Sequence, residues 1–297
     1  MLLYYCDHEP LPLPPGHKFP IQKYRLLRDA LAQTDGFEFE PAPLADVADI
    51  ELVHDREYVR GVIDGSLAAG IFRRIGFPWS AQMVRRTLCS AGGTLAATEQ
   101  ALKTGFGGAL AGGTHHAAFA EGSGFCVFND IAIAIRKHRF RSAAVIDLDV
   151  HQGDGTASLF SGDPSVFTLS LHGANNFPFR KQKSRLDVPL PNGMTDGPYL
   201  EALRKVLPEV WASSPEIVFY QAGVDALATD KLGLLSLSRE GLASRDRLIF
   251  SECHLRAIPT VALLGGGYSD PIGLTVAAHA QTFRLALREF EQNLTQT

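Results

Sequence analysis

Ala143-Ala144-Val145-Ile146-Asp147-Leu148-Asp149-Val150-His151 is the stretch on which the fold turns. Its apolar part, Ala143–Leu148, is short and continuous, as a parallel strand covered on both faces requires. Its end is different. Asp149 and His151 stand two residues apart, so in extended backbone their side chains leave the same face, and Asp147 joins them if the strand persists. Three ionisable groups closing a core strand would be costly to bury together. A cation bound among them would neutralise the carboxylates and remove that cost. Capping of the following loop by Asp147 and Asp149, with His151 as an ordinary polar residue, is the plainer alternative.

Outward from this segment the same kind of apolar run recurs at Leu2–Tyr5, Gly108–Ala111, Val166–Leu171, Ile217–Ala222 and Thr260–Leu264. Helical patterns lie between them. Val84, Leu88, Ala91 and Leu95 form one apolar helical face, and Gly105 suits its stop. Arg239–Leu255 and Ile272–Phe290 read as helices too. Pro10, Pro12, Pro14 and Pro15 mark a rigid loop, and no repeat, low-complexity tract or linker divides the chain. The expectation is an α/β fold: one domain over residues 1–297, with a mostly parallel central sheet flanked by helices.

The polar residues fall where such a sheet binds ligands, outside the carboxyl ends of its strands. Gly112-Gly113-Thr114-His115-His116, Ser170-Leu171-His172, Gly223-Val224-Asp225 and Gly265-Gly266-Gly267-Tyr268 each follow or close a strand, as Asp147–His151 does. Asp225 can add a third ligand to Asp149 and His151. Two carboxylates and one imidazole leave a position open for water, as a catalytic zinc requires. His115 and His116 offer two rings for general acid–base work. Asp147 and Asp154 are the carboxylates available to fix their tautomers. Tyr268, after three glycines, can present a phenol to a substrate carbonyl, and Gly266 and Gly267 can pass close to a ligand. Gly124 and Phe125 are candidates for the wall of an apolar tunnel. Taken singly, the tyrosine and the phenylalanine read better as ordinary core residues.

Composition narrows the function classes. Hydrophobic residues make up 45% of 297 and charged residues 20%, which supports a large folded core. A formal charge of −4 does not fit a surface built for phosphate backbones, so nucleic acid is not an expected ligand. Cys6, Cys89, Cys126 and Cys253 form no C-x-x-C pair, consistent with a reduced, cytoplasmic protein. The first residues carry no signal-peptide pattern, and no segment approaches the ~20 apolar residues that span a bilayer.

With these residues in hand, the chain resembles the histone deacetylase family, within the arginase–deacetylase fold. Gly112–His116, Gly124–Asp130, Asp147–Gly155, Gly223–Gly233 and Gly265–Tyr268 carry the likeness in the family's order. His17–Pro20, His54–Val59 and Arg73–Trp79 extend it, the last resembling most the class IV branch and its bacterial relatives. The resemblance implies a deacylase acting on an acylated lysine peptide or a small acylated amine. It also implies one zinc held by Asp149, His151 and Asp225. His115 and His116 would be the active-site pair with Asp147 and Asp154 as partners, Tyr268 would bind the carbonyl, and Gly124 and Phe125 would line the channel. A monovalent cation such as potassium would sit on Asp147, on the backbones of Asp149, His151 and Leu171, and on the Ser170 hydroxyl.

Two departures from the family pattern bear on substrate and metal. Arg73 and Arg74 stand where class I enzymes carry an acidic peptide-anchoring loop. Ala226 and Leu227 follow Asp225, where two-manganese ureohydrolases carry a further Asp. An acetylpolyamine deacetylase of the same fold, a ureohydrolase and a non-catalytic binding module are the rival readings. The first lacks an acidic gate here, the second lacks its aspartate, and the third leaves a full set of catalytic groups without a task.

Overall fold

The computed structural model describes residues 1–292; the last five residues of the expected domain lie outside the described part. Eight strands form one sheet in the order β2-β1-β3-β8-β7-β4-β5-β6. They are β1 (Leu2–Tyr5), β2 (Glu38–Pro41), β3 (Phe106–Ala109), β4 (Ala143–Asp147), β5 (Val166–Gly173), β6 (Leu186–Leu190), β7 (Ile217–Gln221) and β8 (Thr260–Leu263). Every neighbouring pair is parallel, so the mostly parallel sheet expected is wholly so. The six apolar runs form β1, β3, β4, β5, β7 and β8, with β3 lying two residues earlier than expected. β2 and β6, the two edges, escape that pattern because β2 is largely exposed and β6 is mostly half-buried, with Pro189 exposed. Each also carries a proline, Pro41 or Pro189, and an edge position tolerates the missing N–H donor.

Helices cover both faces. They are α1 (Lys23–Leu31), α2 (Val47–Ile50), α3 (Arg56–Asp64), α4 (Ala69–Ile75), α5 (Ala81–Thr104), α6 (Asp130–His138), α7 (Asp154–Leu159), α8 (Asp196–Ala212), α9 (Arg239–Leu255) and α10 (Gly273–Leu287). Ser80 caps α5 by accepting the Met83 amide at 3.0 Å, and Gly105 ends it in the left-handed region, as its position suggests. α10 stops earlier than Phe290, and Arg288–Gln292 continues it as a wider π turn.

Alternation along the central strands divides the core in two. On β4, Ala144 and Ile146 join the cluster covered by α1, α8, α9 and α10, whereas Ala143 and Val145 join the one covered by α3, α5 and α6. With both faces packed, the carboxyl ends of the strands are the open edge, and the loops leaving them converge there. No described helix is long and apolar enough to cross a membrane, and the four cysteines are buried and free.

Candidate functional site

Asp147 is the last residue of β4, and it lies between Gln221 of β7 and Ser170 of β5. The strand does not persist to His151. Asp147 Oδ1 accepts the Asp149 amide at 3.2 Å, and Asp149 Oδ1 accepts the His151 amide at 3.0 Å. These local bonds replace the sheet ladder and turn the chain away. Asp147 is thereby diverted from the face shared by the next two ionisable groups. Its Oδ2 accepts from His115 Nδ1 at 2.7 Å instead.

Asp149 and His151 come together with Asp225 from the exit of β7, although the backbone that carries the first two is not extended. One donor atom from each lies within 4.8 Å of the others, and all three residues are buried. His151 Nδ1 stands 3.0 Å from Asp149 Oδ1 and 3.1 Å from Asp225 Oδ2. The carboxylates are anchored from behind, Asp149 Oδ2 by the Gly266 amide at 2.6 Å and Asp225 Oδ1 by the Val150 amide at 2.9 Å. Burial, reinforced by the charge of Asp149, pushes Asp225 up to about 7. Burial opposes a charge on His151, but Asp149 and Asp225 outweigh it and lift the ring to about 10. Any cation at this point is therefore stabilised. Two carboxylates and an imidazole facing one position fit a divalent metal of the zinc type, with room for a further ligand on the cavity side.

A buried network beneath the triad holds its two carrier segments together. Arg245 of α9 donates through Nη1 to the carbonyls of Leu148 at 3.2 Å and Gly223 at 2.7 Å. Its charge is balanced by Asp246 at 2.8 Å, which also accepts from Tyr220 at 2.5 Å and Thr282 at 2.6 Å. The sequence reading missed this network. Adjacent Arg and Asp on a helix resemble a solvated face, and only the fold shows both to be buried.

His115 and His116 stack with ring centroids 4.0 Å apart and diverge in their partners. His116 Nδ1 donates to Asp154 Oδ1 at 2.6 Å, so each histidine has its own carboxylate. Burial disfavours charge on both rings. At His115, Asp147 and Asp149 overcome it and raise the ring to about 9. At His116, burial and the neighbouring His115 prevail and lower it to about 4. In both rings the Nδ1 bond to a carboxylate leaves Nε2 as the second functional nitrogen.

His115, His116, Asp149 and His151 line the floor of a cavity of about 650 Å³. Gly124, Phe125, Gly266 and Tyr268 line it with the two histidines; Gly267 is buried beside them. Phe125 holds φ 66°, unusual for a bulky residue, while its amide donates to Ile75 O at 2.7 Å. Its ring packs against Phe19 at 5.1 Å and Phe77 at 5.5 Å. The Tyr268 amide donates to Asp230 Oδ2 at 2.6 Å, and its hydroxyl has no hydrogen-bond partner among the described residues. Past the floor the cavity continues to Tyr24, Arg86 and Ser90, and its mouth is formed by Arg73, Arg74, Phe177 and Phe179. Lys23, fully buried, donates to Gly265 O at 3.2 Å; burial lowers it to about 8 against the pull of Asp225 and Asp149. Neither the inner chamber, nor Lys23, nor the aromatic mouth carried a pattern that sequence alone could single out. Of the monovalent-cation residues, Ser170 pairs with Asp147 across β4 and β5, its hydroxyl 2.9 Å from His172 Nδ1, and Leu171 is the next, buried residue.

Residues 17–283 match the histone deacetylase domain. An uncharacterized protein of Picosynechococcus is 43% identical, over 96% of this chain and 97% of its own length. A probable deacetylase of Archaeoglobus fulgidus is 30% identical, over 89% of this chain and 79% of its own. The solved structure of an HDAC homolog from Aquifex aeolicus superposes with a TM-score of 0.82 at 27% identity, covering 96% of this chain and 83% of that one. The Asp–His–Asp cluster thus sits in a sequence and a fold of one kind, and the chain belongs to the histone deacetylase family.

Proposed function

We propose that this protein is a zinc-dependent amide hydrolase that removes an acyl group from an acylated lysine or a similar acylated amine. One observation carries the proposal: Asp149 and His151 of the buried Asp149–His151–Asp225 cluster line one cavity together with His115 and His116, each held from behind by its own carboxylate. Asp149, His151 and Asp225 would hold a zinc ion, which would supply Lewis acidity toward a substrate carbonyl and water near neutral pH. His116, oriented by Asp154, takes the proton of the attacking water at Nε2 and returns it to the leaving nitrogen as the C–N bond breaks. His115, kept cationic by Asp147, supplies positive charge beside the reacting carbonyl. Tyr268 donates to the carbonyl oxygen as it gains charge. Gly124, Phe125 and Gly266 line the path of the acylated chain; Gly267 lies behind it, facing Thr275 and Val224. A potassium-type cation on Asp147, Ser170 and the backbones of Asp149, His151 and Leu171 would brace the same strand end. The whole of residues 1–297 would serve as one catalytic domain.

The test combines metal analysis with a substrate panel. The purified chain is expected to hold one zinc, to lose activity on chelation, and to release carboxylic acid from acyl-lysine peptides or acyl-polyamines of graded chain length. Two manganese ions per chain, with urea released from a guanidine substrate, would overturn the proposal.

A further inference from the structure

The mouth of the cavity has a charge opposite to that of the chain as a whole. The protein carries a formal charge of −4, yet residues 71–79 contribute Arg73 and Arg74 with no acid, and residues 174–185 contribute Arg180, Lys181, Lys183 and Arg185 with no acid. Arg73 and Arg74 line the cavity, as does Phe179, which precedes Arg180. Two of these cations have local tasks. Arg74 pairs with Glu121, and Lys181 ties its own loop by donating to the carbonyls of Asn176 and Pro178 at 2.5 Å. Arg73, Arg180 and Lys183 are exposed and make no ion pair among the described residues. Asp149, committed to the metal cluster, is the only carboxylate among the residues lining the cavity.

The aromatic part of the mouth adds a second observation. Phe179 is 90% exposed, and Phe177 stands edge-on to His116 with ring centroids 4.9 Å apart. Two phenyl rings leading toward the histidines give an apolar wall for an alkyl stem; Arg73 lines the same cavity, and exposed Arg180 follows Phe179 directly in the chain. An ammonium-rich molecule passing this rim meets like charge; a chain bearing carboxylates meets its complement.

Resting on the amide-hydrolase reading above, we infer that the physiological substrate presents its acylated lysine in an acidic peptide segment, and that the Arg73–Arg180 rim selects it. Carboxylates flanking the lysine pair with Arg73 and Arg180 while the lysine stem lies along Phe177 and Phe179. Acylated polyamines, whose remaining ammonium groups would face the same rim, are selected against.

The experiment uses the metal-loaded full chain and three substrates. They are an acetyl-lysine peptide flanked by Asp and Glu, the same peptide flanked by Lys and Arg, and an acetylated polyamine. At about 20 mM NaCl the acidic peptide should show kcat/KM about tenfold or more above the other two, and the advantage should shrink to about twofold near 0.5 M NaCl as screening sets in. Arg73→Glu combined with Arg180→Glu should reverse the order of the two peptides. Binding of the same peptides, labelled and followed by anisotropy, is measured in parallel. Hydrolysis or binding indifferent to flanking charge, or a preference for the polyamine, overturns the acidic-substrate inference while leaving the hydrolase intact. Acid released from none of the substrates, together with charge-selective binding, overturns the hydrolase reading and leaves the rim's preference standing.

Discussion

The amide of Gly266 donates to Asp149 Oδ2 at 2.6 Å, which ties the glycine-rich segment after β8 to the metal cluster after β4. The approach leaves no space for a side chain. A Cβ at position 266 would lie 1.9 Å from Asp225 Oδ2 and 3.0 Å from Asp149 Oδ2. Gly266→Ala must therefore shift Asp225 or the backbone against it and crowd Asp149, two of the three residues proposed to hold the metal. The expected outcome is metal content well below one per chain and a stability loss on the order of 1–3 kcal/mol, the usual cost of overpacking. Elemental analysis and urea denaturation check it; full metal content at unchanged stability would show that the segment yields without disturbing the cluster.

The two histidines should answer differently to substitution. His116→Ala removes the ring held by Asp154 and is expected to lower kcat by about 10²–10⁴, the range of general acid–base catalysis. Asp154→Asn keeps the ring and weakens its orientation, so its loss should be smaller. His115→Ala removes a charge beside the carbonyl and should fall between them. Turnover is to be measured with metal content on the same samples. Near-normal kcat for His116→Ala with metal retained would refute the assignment.

How much of this was legible beforehand depends on the kind of contact involved. Strands buried on both faces announce themselves as continuous apolar runs, which is why β3, β4, β5, β7 and β8 could be read; half-buried β1 is as continuously apolar and was read the same way. The edges β2 and β6 face solvent on one side and carry charges and prolines, so no such run exists. α6 hides for another reason: Ile131, Ala132, Ile133, Ala134 and Ile135 are all buried, and their alternation looks as much like a strand as a helix. In the site, pairs on one strand exit or in one short motif were visible from spacing. Asp147 would share the face of Asp149 and His151 only in a strand that persists, and side-chain bonds to following amides end the strand at that point. Arg245 reaches Leu148 and Gly223 across long stretches of chain, and no local pattern encodes such a contact.

Arg245 offers its own test. Replacement by Met keeps much of the volume but leaves Asp246 as a buried charge without its cation and frees the carbonyls of Leu148 and Gly223. Breaking a buried pair from one side costs about 3–5 kcal/mol. The variant should be destabilised by that order and should bind metal more weakly, because both ligand-bearing segments lose their common anchor. Wild-type stability in chemical denaturation would remove Arg245 from this role.

His54 sets a pH dependence of stability away from the metal. Its Nδ1 donates to Ala118 O at 2.8 Å, and its Nε2 accepts the Asn129 amide at 2.8 Å. That geometry requires a neutral ring, and burial lowers the folded-state value from 6.5 to about 4. Between these values the unfolded chain binds a proton that the folded chain does not. The contribution is therefore complete above pH 6.5 and is lost as the pH falls toward 4, amounting to roughly 3 kcal/mol in all. His54→Gln can keep both hydrogen bonds and does not titrate. The wild type should lose stability between pH 7 and pH 5 more steeply than this variant; parallel profiles would show that other groups carry the dependence.

Tyr268 tests the proposed chemistry most directly. Burial, aided by the charges of Asp225 and Asp149, holds its phenol well above the ordinary value of 10, so the hydroxyl keeps its proton and can donate. Its ring is fixed independently of the hydroxyl: the backbone amide bonds to Asp230, Lys23 Nζ lies 5.4 Å from the ring centre, and Phe125 packs at 6.2 Å. Since the hydroxyl has no protein partner among the described residues, Tyr268→Phe should cost little stability and leave the metal in place. Catalysis should respond otherwise. A donor poised for a carbonyl oxygen strengthens as charge develops there, and removing one such donor typically costs about 10²–10³ in kcat. A tyrosine serving only the packing of the cavity wall would instead leave kcat near normal. Measured on one preparation, a large fall in kcat at unchanged thermal midpoint supports the catalytic donor, and a normal kcat at any midpoint rejects it.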